Sequence, residues 1–112
     1  MDLPAGSRLT RISWLSTPDK YAGPKLFDSL DGARAHGPSP IVSAELEVRT
    51  PDGRTVDLSG GVPSADSIYR SSPRQDAGVL PALGAVVEEF VAAAHEVVFR
   101  NPDGGRFVLI VT

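Results

Sequence analysis

Residues 79–112 read VLPALGAVVEEFVAAAHEVVFRNPDGGRFVLIVT and hold the densest apolar content of the chain. Val79, Leu83, Val86, Val87, Phe90, Val91 and Ala94 recur at helical spacing, with Glu88, Ala92, His95 and Glu96 opposite them. That period predicts an amphipathic helix with its apolar stripe on the core. Asp76 is placed to cap it, and Pro81 falls within its tolerant first turn. Gly84 weakens such a helix by about 1 kcal/mol relative to alanine. The helix can end at Ala94 or run on to Arg100. Val97, Val98 and Phe99 are β-formers beside a turn signal, which favours the earlier end and a strand from Glu96. After the turn at Asn101-Pro102-Asp103-Gly104-Gly105, Arg106 to Thr112 is apolar on both faces and predicts a central, doubly covered strand.

Upstream, the same design recurs. Ile41 to Leu58 alternates Val42, Ala44, Leu46 and Val48 with Ser43, Glu45, Glu47 and Arg49, then returns through Val56 and Leu58. The Thr50-Pro51-Asp52-Gly53 turn between them suits a type I turn followed by a bulge. Glu45 to Arg54 echoes Glu96 to Arg106, through a shared turn chemistry or an ancestral repeat. Arg8 to Leu15 also alternates and predicts a first strand, with Trp14 on the core. Met1 to Ser7 reads as a frayed arm. Between Ser16 and Pro40, Pro24, Leu26, Phe27, Leu30 and Gly32 fit one short helix. Ser59 to Gly78 reads as loop, with Gly60-Gly61 as a turn and Ile68 and Tyr69 as core anchors.

The expected fold is therefore α+β: an antiparallel sheet of four to five strands with one main helix packed on one face. Its 112 residues suit a single domain, 1–112, that buries enough surface for one core without added support. Cysteine is absent, which removes disulfides, thiolate metal sites and a thiol nucleophile. No apolar run suits a signal peptide or a membrane span, so the expected setting is cytoplasmic. A net charge of −3 argues against general affinity for nucleic acid. Arginine outnumbers lysine heavily, only Lys20 and Lys25 being lysines, and this bias resembles high-GC bacterial coding.

No catalytic set emerges. His36 and His95 are far apart, with no metal-ligand spacing. No serine has an activating pattern around it. Glu88-Glu89 and the Glu45/Glu47 pair read as solvated faces. Gly60-Gly61 and Gly104-Gly105 lack the residues of a phosphate-binding loop. Asp19, Lys20, Tyr21 and Lys25 suit an exposed helix entry.

The segment from Asp66 to Asp76 is richer, because it gathers Tyr69, Arg70 and Arg74 before a predicted helix start. Arginine forks and helix-end N–H groups suit an anion, and Tyr and Arg are frequent interface anchors. The plain alternative is a solvated loop whose arginines cover nearby carboxylates. The function expected from this reading is a small protein-binding or regulatory accessory protein of the immunity-inhibitor kind. Its partner would be another protein, met through Tyr69, Arg70 and Arg74, with no cofactor. The alternative is a ligand-binding protein or enzyme with a pocket between helix and sheet, using Tyr21, His36, Tyr69, Arg70 and Arg74. A C-terminal strand this apolar, if it lies at an edge, suits a homodimer through that strand.

Overall fold

The computed structural model describes residues 3–16, 25–36, 43–63 and 72–112. Their strands are β1 (Arg8–Ser16), β2 (Lys25–Phe27), β3 (Ser43–Arg49), β4 (Thr55–Gly61), β5 (Val86–Val91), β6 (Glu96–Arg100) and β7 (Arg106–Val111). One helix, α1 (Leu30–His36), and a 3-10 turn at Ala92–Ala94 complete the elements. All seven strands join one antiparallel sheet in the order β2-β1-β3-β4-β7-β6-β5. Arg8 of β1 also pairs with Val86 of β5, so the pairings from β1 through β5 close into a ring. Closure covers the strand edges of that ring except where β4 and β7 part beyond Gly60 and Gly61, and covered edges protect an antiparallel sheet from edge-to-edge association.

The expected α+β architecture is overturned: among the described residues no main helix packs on the sheet. Residues 79–85 are extended loop and turn, and Val86–Val91 is a strand. Two features defeat the helix. Gly84 sits at φ +85, outside the helical region, and donates its N–H to the Leu9 carbonyl at 2.9 Å. Beyond it lies a run of β-branched and aromatic residues that packs better on a pleated surface. The helical period itself is counterfeit. The β5–β6 register shifts between Val87 and Glu89, leaving Glu88 as a bulge. A bulge inserts one residue, so Val87 and Phe90, three apart, both reach the main core. The Arg100 guanidinium then holds the bulged Glu88 carboxylate.

A second bulge acts the same way in β1. Its pairing with β3 slips between Leu9 and Arg11, so Leu9 faces the core together with Ile12 and Trp14, and the expected strict alternation fails. The arm before β1 is not frayed over its described part. Leu3 and Ser7 are buried, and Gly6 and Ser7 exchange backbone hydrogen bonds with Val87.

The short helix expected over Pro24–Gly32 is displaced. Lys25–Phe27 pairs with β1, and α1 starts after Ser29. Ser29 caps it: its Oγ accepts the Gly32 N–H at 3.0 Å and its carbonyl accepts that of Ala33. Gly32 thus lies in the first turn, not at the end.

The hairpin readings hold better. β3–β4 and β6–β7 turn through equivalent bonds. Gly53 N–H donates to the Thr50 carbonyl and Gly104 N–H to that of Asn101, with φ of +91 and +94 at the two glycines. Asp52 is held by the Thr50 hydroxyl and then by Arg54, which keep its carboxyl below the ordinary range. β7 is central, between β6 and β4, and Phe107 to Ile110 are all buried. Phe99 and Phe107 stack with centroids 4.7 Å apart in the core.

The β5–β6 turn contains the one non-glycine residue at positive φ among the described residues, His95 at φ +54. It ends the 3-10 turn, so no α-helix dipole acts on it. A left-handed conformation costs a β-carbon-bearing residue about 1–2 kcal/mol, partly offset by the greater unfolded freedom of glycine. His95→Gly is therefore expected to raise stability by about 1 kcal/mol in thermal unfolding. A lower melting temperature would contradict this account of the turn.

Among the described residues no helix is long and apolar enough to cross a membrane.

Candidate functional site

The chain from Ser72 to Leu83 follows β7 and then the mouth of the core. It does so because β7 meets β4 only at Gly60↔Val111 and Gly61↔Ile110. Below that point β7 needs other partners for its backbone, since buried amides left unpaired are costly. Gln75 Oε1 accepts the Val108 N–H at 2.7 Å, and Asp76 Oδ2 accepts the Arg106 N–H at 2.9 Å. The Gln75 amide donates in turn to the carbonyls of Asp76 and Val79. Side chains thus stand in for a missing strand. Asp76, expected to cap a helix, instead serves this seam, and the Arg106 backbone N–H holds its carboxyl below the ordinary range.

The segment is pinned from beneath by Glu96. This carboxylate is fully buried, and its Oε1 accepts from Ser72 Oγ at 2.7 Å and from Arg74 Nη1 at 3.0 Å. Of the expected contact residues, Arg74 is thus turned inward onto Glu96. Tyr69 and Arg70 lie outside the described residues, as do Asp19, Lys20, Tyr21 and Ile68; so does the side chain of His36. Apart from Arg74, the side chains of the expected Tyr/His/Arg cluster thus fall outside the described ones. Farther on, Asn101 fixes the loop before β5. Its Nδ2 donates to the Leu80 carbonyl at 2.8 Å, and its Oδ1 accepts the Ala82 N–H at 3.2 Å.

Held this way, residues 80–83 form one wall of an open groove of about 480 Å³. The opposite walls are Ile12 and Trp14 of β1 and Leu30 at the start of α1, with Arg11 and Asp28 as its charged residues. Ile12, Leu30 and Leu80 pack on the main core cluster, so the groove is a place where the core reaches the surface. Leu83, on its lip, is 61% exposed; with Leu26 at 50% it is one of two large apolar residues left in water among the described ones. The sequence places Leu83 on a buried helix face, so its exposure is invisible until the helix is replaced by a loop.

No protein-family model, curated protein or solved structure matches the chain.

What the arrangement can do chemically follows from its donors. The groove holds no histidine, tyrosine or cysteine among its described residues, and its single carboxylate, Asp28, is exposed. Among the described residues no group of three or more His, Asp or Glu side chains could hold a metal ion. Glu45, Glu47 and Asp57 line the outer face of β3 and β4, where Arg11 stands opposite Glu47 in register.

Proposed function

We propose that the chain is a small non-catalytic binding protein, a regulatory or accessory factor of the cytoplasm. In this reading it takes an apolar segment of a partner protein in the groove beside Trp14. The observation that carries the reading is Leu83: a large apolar side chain left in water on the lip of an apolar groove. Isolated exposed leucines need no explanation, but one continuous with a core-lined groove marks a contact surface. Arg11 and Asp28 supply opposite charges that fix the direction of an occupant. Tyr69 and Arg70, outside the described residues, stay in the proposal as added contacts on the ground of their residue type alone. Arg74 does not, since its guanidinium is engaged by Glu96.

A second reading has one observation in its favour. The groove's volume falls within the range of small-molecule sites, and its lining is mainly apolar. Its openness to solvent favours the protein segment, because small-ligand pockets bury most of what they bind.

The test is quantitative affinity capture from the source cell with wild type, Leu83→Asp and Ala93→Asp as baits. Both sites are exposed, so each variant is expected to keep its fold to within about 0.5 kcal/mol. The expected result is one protein, or a small set, recovered by wild type and Ala93→Asp and lost from Leu83→Asp. Identical recovery by all three baits contradicts the proposal.

A further inference from the structure

The sheet carries two pairs of arginines that face each other across strands. Arg100 of β6 stands opposite Arg106 of β7, and Arg8 of β1 stands opposite Arg49 of β3. Directly opposed side chains on antiparallel strands have β-carbons about 5 Å apart, so like charges there repel. The first pair is neutralised in place. Glu88 pairs with Arg100, and Asp76 lies 3.5 Å from Arg106.

The second pair has no such acid. No carboxylate among the described residues forms an ion pair with Arg8 or Arg49. Their neighbours in the same cross-strand row are Val86 and Thr55, both uncharged. Two carboxylates on β3 or its turn make other contacts. Glu47 accepts the Thr10 hydroxyl at 3.2 Å and stands opposite Arg11, while Asp52 is held by Arg54 and Thr50. Arg8 and Arg49 are both exposed and line a hollow of about 280 Å³ with Gly6, Thr10, Thr50 and Pro51. Two opposed arginines in no ion pair, beside a hollow with no acid in its lining, form a cationic pair open to an anion.

The geometry points to a binding site for a phosphate-type dianion between the guanidinium groups of Arg8 and Arg49. Guanidinium forks match the oxygens of a phosphoryl group, and a dianion neutralises both cations where a single carboxylate leaves one charge over. The hollow extends past the arginines to Gly6 and Pro51, which gives space for an organic group carried by the phosphate. This hollow adjoins the groove beside Trp14 through Thr10, but Arg8 and Arg49 do not line that groove.

The experiment follows the arginine Nε–H signals and the melting temperature of the full chain as inorganic phosphate or O-phosphoserine is added. Sodium chloride at matched ionic strength is the control, and Arg49→Gln is the variant. The expected result is a saturable shift of the Arg8 and Arg49 signals with either phosphate probe, none with chloride, and loss of the response in Arg49→Gln. Phosphoserine binding more tightly than free phosphate assigns the space beside Pro51 to the organic group; equal binding assigns the site to the anion alone. In phosphate-free buffer Arg49→Gln is expected to melt about 2–4 °C above wild type, because the repulsion is removed. A wild-type response no greater than that to chloride, a response retained by Arg49→Gln, or a variant that melts below wild type without phosphate would each overturn the site.

Discussion

Replacing Gly60 with alanine is expected to destabilise the protein by about 3 kcal/mol or more, the upper end of the cost of overpacking. A β-carbon at Gly60 would lie 2.1 Å from the Ile110 carbonyl oxygen, 2.8 Å from its carbon and 3.1 Å from Val111 Cα. All three are backbone atoms of β7, so no side-chain rotation relieves the clash. The two strands meet only at Gly60↔Val111 and Gly61↔Ile110, so parting them there breaks the ring of pairings. Gly53→Ala is the comparison. Its β-carbon meets nothing within 4 Å, but its φ of +91 is strained for alanine and costs about 1–2 kcal/mol. Urea unfolding of both variants measures the difference. A Gly60→Ala variant no less stable than Gly53→Ala would mean that β4 and β7 do not approach this closely.

The second large effect lies at the buried carboxylate. Arg74→Ala and Glu96→Gln are each expected to cost about 2 kcal/mol, in the range of hydrogen bonds to charged groups. A fully buried pair broken on one side costs about 3–5 kcal/mol. The guanidinium of Arg74 is 35% exposed, so water screens it and lowers the figure. The double variant is expected to cost less than the sum, with a coupling of about 1 kcal/mol in a double-mutant cycle. Since Arg74 and Ser72 pin the segment that serves β7, the Arg106 and Val108 amides should also exchange faster in Arg74→Ala. Strict additivity with unchanged exchange would show that Glu96 does not hold this segment. An Arg74 acting as a surface contact would instead leave stability unchanged when replaced.

The parts of the fold legible in the sequence were those set by local chemistry. Pro51-Asp52-Gly53 and Pro102-Asp103-Gly104 dictate their turns through proline's fixed φ and glycine's access to positive φ. The strands flanking those turns follow from alternation or from continuous β-formers. The helical period over Val79–Ala94 misleads for a specific reason. The Glu88 bulge changes the inward spacing from two residues to three, which imitates a helix in any periodicity argument. Gly84 carried the contrary signal, since a glycine inside a putative helix also marks a positive-φ turn. The same mechanism at Thr10 blurred the faces of β1.

The site was less legible. Arg74 was recognisable as a residue with a task, but not as the partner of Glu96, twenty-two residues on, because that pairing is purely tertiary. The seam explains why Ser72 to Asp76 is so polar: Gln75 and Asp76 replace strand hydrogen bonds. The groove had no signal at all. Trp14 and Leu30 could be read as core, and only the course of residues 80–83 leaves Leu83 beside them in water. Arg8 and Arg49 likewise become opponents only through register.

The most direct test of the binding groove is a photo-crosslinking side chain placed at position 83 of the full chain and activated in the source cell. The account predicts a discrete adduct with a different protein, absent when the same side chain is placed at position 93. An absence of adduct at 83, an adduct of twice the chain's own mass, or a small-molecule adduct there would contradict it.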